Sequence, residues 1–129
     1  FGNLGLIERT RGNLGSAEAY MKLALAFSEE LKYKEGMAIQ LGNLGSIEYM
    51  RKNLEGAEAY HKRAWAIDKE LDRKEGMACD LGNLGLIERT RGNLEEARGL
   101  WVRARDLFVE IGMPQMVEKT QAWIDGLDG

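Results

Sequence analysis

The chain repeats itself. Shifted by 40 residues, positions 2–41 lie over 42–81 with 24 of 40 identical, and at a shift of 80 the stretch GNLGLIERTRGNL, residues 2–14, recurs letter for letter at 82–94. A fixed period of this length marks an array whose units bury their apolar faces against one another. Forty residues suit two antiparallel helices and two short turns, so the natural unit is a helical hairpin.

The hydrophobic spacing agrees. Leu54, Ala57, Tyr60, His61, Ala64, Trp65, Ile67 and Leu71 advance by threes and fours between Glu55, Glu58, Lys62, Arg63 and Lys69, and Leu94 to Ile111 repeats the pattern. This is an amphipathic helix of about five turns. Ala38, Leu41, Leu44, Gly45 and Ile47 mark the helix before it. Helices are predicted over 2–11, 14–33, 36–51, 54–73, 76–91 and 94–111. Asn13, Asn53 and Asn93 are expected to take the left-handed conformation at one turn, and Lys34-Glu35-Gly36 and Lys74-Glu75-Gly76 to form the other. A glycine inside a helix costs roughly 1 kcal/mol relative to alanine, so Gly45 calls for a reason. Close packing on the small Ala57 and Ala64 supplies one, repeated at Gly5 and Gly85.

A Leu-Gly pair in the first helix, followed by small residues seven apart in the second (Ala17 and Ala24, Ala57 and Ala64, Ala97 and Ala104), resembles the tetratricopeptide repeat across nearly the whole chain. The usual unit is about 34 residues and closes on a proline. Here Lys32, Lys69 and their Glu-Leu neighbours are read as continuing the helix, which lengthens the period. That variant, with its Gly-Asn-Leu-Gly start, is similar to the repeats of kinesin light chains, spindle-polarity adaptors and bacterial peptide-sensing regulators. The resemblance implies an all-α fold, a right-handed α-solenoid of three hairpins. One domain is expected over 1–129, with repeats at 1–37, 38–77 and 78–112. After Gly112 the repeat fades, and Pro114 opens an amphipathic segment (Met116, Val117, Thr120, Trp123, Ile124, Leu127) expected to cap the array over 113–127. The first helix lacks about three residues relative to its copies, so that end is expected to be raw and open to self-association. Phe1 suggests a fragment of a longer array.

Composition narrows the function. With 129 residues, 30% of them charged, the chain has room for one structural unit and none for a separate catalytic domain. A net charge of −3 gives no general attraction to phosphate backbones, so no nucleic-acid partner is expected. No apolar run nears the roughly 20 residues of a bilayer span, so no membrane partner is expected either. The single cysteine, Cys79, excludes a disulfide scaffold and suits a reducing, cytoplasmic setting. His61 is the only histidine and falls where the other units carry Met21 and Trp101, so packing is its expected role. Cys79 has no partner to complete a metal set. The GNLG stretches sit mid-helix with no strand before them and no Lys-Ser or Lys-Thr after, so they are not phosphate loops. An enzyme, a metal or a cofactor is therefore not expected. Glu8, Glu48 and Glu88 stand three before Arg11, Arg51 and Arg91, a spacing for ion pairs along a helix. Tyr20, Phe27, Tyr60, Trp65 and Trp101 recur at helical spacing and are assigned to the core.

One ladder is left over. Asn3, Asn43 and Asn83 occupy helix interiors, where asparagine has mediocre propensity. Each shares a face with residues three and six or seven further on: Leu6, Arg9 and Thr10; Ser46, Tyr49 and Met50; Leu86, Arg89 and Thr90, a face begun by Ile39 and Cys79. In the family this resembles, first helices line the concave surface and such amides bind the backbone of an extended peptide. An amide both donates and accepts, which suits that task. The candidate peptide groove is Asn3, Leu6, Arg9, Asn43, Ser46, Tyr49, Met50, Asn83, Leu86 and Arg89. Its arginines favour a protein or peptide partner with acidic as well as apolar side chains. Amides bonded only to their neighbours or to water are the plain alternative. Two further readings stay open: an element that stacks end to end without a ligand, and a sensor segment of a larger regulator or enzyme.

Overall fold

A computed structural model describes residues 14–128. The helix expected over 2–11, with Asn3, Gly5, Leu6, Arg9, the Glu8 and Arg11 pair and Asn13, lies outside the described residues. Among the described residues there are six helices and no strand: α1 (Leu14–Glu30), α2 (Lys34–Met50), α3 (Leu54–Glu70), α4 (Lys74–Thr90), α5 (Leu94–Glu110) and α6 (Pro114–Gly126). Two 17-residue helices and two three-residue turns account for the period.

The turns differ from expectation. Lys32 does not continue a helix; it stands in the turn with φ 56°, and Lys-Glu-Gly forms the first turn of α2 and of α4. The hairpins thus start at Lys34 and Lys74, a turn ahead of the repeat boundaries drawn at 38 and 78. The left-handed residue after α2 is Lys52 (φ 66°) rather than Asn53, and after α4 it is Gly92 (φ 87°) rather than Asn93. Asn53 N–H donates to the Glu48 carbonyl at 2.9 Å and Lys52 N–H to that of Tyr49 at 3.0 Å. This double closure is a Schellman motif, which places the left-handed residue one position before the asparagine. Bonds of the same register close the helices before Tyr33, Arg73, Asn93 and Met113.

The chain divides into two compact units, Phe1–Ile67 and Asp68–Gly129. The first buries Ala17, Met21 and Leu25 of α1 with Leu41, Leu44 and Ile47 of α2 and Ala64 of α3. Gly45 is buried, but what it meets is the His61 ring: a Cβ there would lie 2.7 Å from Nε2. Ala57 and Ala64 are fully buried, as expected, but the nearest group to Gly45 is the imidazole. Phe27 corrects the core assignment. It is 63% exposed and continues a stripe with Leu23 and Leu31, both also exposed.

In the second unit Ala78, Leu81 and Ile87 of α4 are buried, as are Ala97, Trp101, Ala104 and Phe108 of α5 and Thr120 and Ile124 of α6. Helix α5 packs against both α4 and α6. Gly85 repeats the role of Gly45, with Trp101 Cδ1 2.5 Å from where its Cβ would stand. At positions where α4 buries Ala78 and Gly85, α6 carries the exposed Glu118 and Asp125, so it turns a polar side outward. Arg105 donates to Gln121 at 2.8 Å, Gln121 to Asp125 at 2.9 Å, and Arg98 pairs with Asp128.

Candidate functional site

The asparagine ladder can be followed at two positions. In the first unit, Asn43 and Ser46 are half-buried on α2; Asn43 Nδ2 reaches Gln40 Oε1 only at 3.5 Å, and Ser46 Oγ donates to the Gly42 carbonyl at 3.2 Å. Both bonds are local, and the amide's is at the long limit of a hydrogen bond. Tyr49 is half-buried, and Met50 is 45% exposed. Beside Asn43, Gly42 has open space where a Cβ would stand.

In the second unit, α4, α5 and α6 enclose a pocket of about 290 Å³ lined by Gly82, Asn83, Leu86, Arg89, Trp101 and Trp123. It brings together all three candidates of that unit: Asn83, Leu86 and Arg89. The two indoles form one wall, ring centres 5.6 Å apart and tilted by 44°. Trp101 Nε1–H donates to the Gly82 carbonyl at 2.9 Å, which fixes that ring's orientation. The Arg89 guanidinium lies 5.8 Å from the Trp101 ring centre, within cation–π range. The pocket combines a cation, an amide and an apolar floor. Thr90, on the same face, turns its hydroxyl to the Leu86 carbonyl at 2.9 Å.

The two tryptophans were assigned to the core and to the terminal helix, not to a site. A signal for Trp123 was present: it stands 40 residues after Asn83, at the ladder position itself. Trp101 carried a weaker one, since a buried indole N–H must find an acceptor near the helix it covers.

The remaining polar groups hold structure. Glu48 accepts from Arg51 at 3.1 Å and from Asn53 at 2.5 Å, and Glu88 from Arg91 at 2.8 Å and from Asn93 at 2.7 Å. The Asn93 bond, with Arg91 adding to it, holds the Glu88 carboxyl below its usual range. His61 is buried with Nδ1 unpartnered, and burial lowers its pKa to about 4. Cys79 is exposed. Among the described residues no three His, Cys, Asp or Glu side chains cluster to hold a metal, and no helix is long and apolar enough to cross a membrane.

Comparison with known proteins agrees with this architecture. A tetratricopeptide-repeat family model matches residues 1–31 and 38–71. No curated protein sequence matches significantly. Among solved structures, the chain is similar to a Podosopora anserina putative kinesin light chain with nearly identical TPR-like repeats (TM-score 0.82, 13% identity, covering 98% of this chain and 63% of that one). It is also similar to BtubC (BKLC) from P. vanneervenii (TM-score 0.71, 19% identity, 98% and 61%). At such identities the likeness is one of fold, that of a tetratricopeptide solenoid, and the chain spans about three-fifths of each structure's length. With the family model covering half of it, the chain belongs to the tetratricopeptide repeat family.

Proposed function

We propose that this repeat scaffold is a non-enzymatic interaction module, and that the asparagine-bearing face of its first helices holds an extended peptide with acidic and apolar side chains. The observation that carries the reading is the pocket of Asn83, Leu86, Arg89, Trp101 and Trp123. Its tryptophans and leucine would receive an apolar side chain, and Arg89, steadied over Trp101, a neighbouring carboxylate. Asn83 would bond the peptide backbone. On α2, Asn43, Ser46, Tyr49 and Met50 offer the corresponding face, and Asn3, Leu6 and Arg9 would add a third. Gly42, unhindered beside Asn43, supports close approach by another backbone, the use that repays glycine's poor helix propensity. Helix α6, polar where α4 is apolar, would close the array.

The test is a titration with fluorescently labelled peptides selected from an acidic-apolar library. Asn43→Ala with Asn83→Ala is expected to weaken binding at least about tenfold, the worth of one or two backbone hydrogen bonds, with unchanged helicity. Unchanged affinity contradicts the reading.

The exposed stripe Leu23, Phe27 and Leu31 favours a second reading, association of copies through α1 without a peptide. Light scattering against concentration separates the two, because that association requires the mass to rise. Phe27→Glu would abolish the rise.

A further inference from the structure

Two buried carboxyl groups face each other in the second unit. Asp68, in the last turn of α3, is 3% exposed, and Asp80, in the second turn of α4, is 5% exposed. Asp68 Oδ1 accepts from Arg73 Nη1 at 2.7 Å. Gly76 admits it to the start of α4, since a Cβ there would lie 2.6 Å from Asp68 Oδ2. Asp80 Oδ2 is buried and has no hydrogen-bond donor. Two ionised carboxylates held together in this way repel, and one proton between them both removes the repulsion and satisfies the orphaned oxygen. The charged groups acting on Asp80 are Asp68 from α3 and Arg73 from the turn; its neighbour on α4 is the exposed thiol of Cys79. Arg73 bonds Asp68 directly, and its positive charge partly offsets the rise at Asp80. The preceding hairpin places neutral Ser28 and Gln40 at the equivalent positions, and the following one Phe108 and Thr120. The acid pair is therefore peculiar to this junction.

We propose that Asp68 and Asp80 share one proton, forming a carboxyl–carboxylate latch that fastens the last turn of α3 to α4 and is released when alkali removes the proton.

Burial first, and then Asp68, push the Asp80 carboxyl up to about 9. A value raised above that of the unfolded chain means that the folded protein binds the extra proton. The latch therefore stabilises fully below the ordinary carboxyl range and is lost as pH rises through about 9. The experiment is urea unfolding at several pH values from about 8 to 9, a window in which His61 is essentially uncharged in both states. For the wild type the folding equilibrium constant should fall by up to about tenfold per pH unit, the limit for one proton. The double variant Asp68→Ser, Asp80→Gln, which copies the chain's own neutral pair, should lose most of that slope, as should Asp80→Asn. Equal slopes overturn the proposal. Carbon-13 carboxyl titration of the wild type reads the same proton without any variant. One aspartate titrating near 9 is expected, and all of them titrating below about 5 would overturn the latch.

Discussion

At the middle of the first unit a glycine and a histidine occupy one space. Gly45 has no Cβ because the His61 ring fills its position, so Gly45→Ala should destabilise by about 1–3 kcal/mol through overpacking. Gly42, three residues earlier on the same helix, meets nothing, and Gly42→Ala should stabilise by up to about 1 kcal/mol. Thermal denaturation of the two variants checks the opposite signs. The same two glycines are alike in sequence, which is why only the packing tells them apart. His61 has its own signature. Its pKa is lowered to about 4 by burial, so its contribution is present above the unfolded value of about 6.5 and is lost as pH falls towards 4. His61→Met, which copies Met21, should be less acid-sensitive than the wild type between these limits in urea unfolding. Identical sensitivity would contradict the buried neutral ring.

Helix existence and spacing were legible because the 40-residue shift and the three-four periodicity point to the same elements. The turns were not. Their left-handed position is filled by Lys32, Lys52, Asp72, Gly92 and Gly112, a backbone requirement with no constant side chain. Asn53 and Asn93 drew attention as turn formers, yet each bonds the preceding glutamate from the position after the left-handed one. Asn53 also caps α3, accepting from Gly56 N–H at 3.1 Å. A lysine at φ 66° is strained, and Lys52→Gly should stabilise by about 1 kcal/mol with helicity unchanged. A lower melting temperature would show that Lys52 makes contacts outweighing that strain.

For the chain as a whole, membership of the tetratricopeptide family follows from its repeats, and the face proposed for recognition rests on residues that the fold does not need. That Asn83, Leu86 and Arg89 share a face was legible in advance, because an amide inside a helix has no packing reason to be there, and the structure lines one pocket with them. Trp123 was harder to see: its one signal is the 40-residue step from Asn83, and identity around it fades after Gly112. The exposed Phe27 was missed for a related reason: helical spacing reports a stripe, but not whether a neighbour covers it. The most direct measurement is nitrogen-15 NMR of the intact chain titrated with a library-selected acidic-apolar peptide. The account predicts shifts at the amides of Asn43, Ser46, Asn83, Leu86 and Arg89 and at the indole N–H groups of Trp101 and Trp123. Shifts confined to the exposed Leu23, Phe27 and Leu31, with those resonances unmoved, would contradict it.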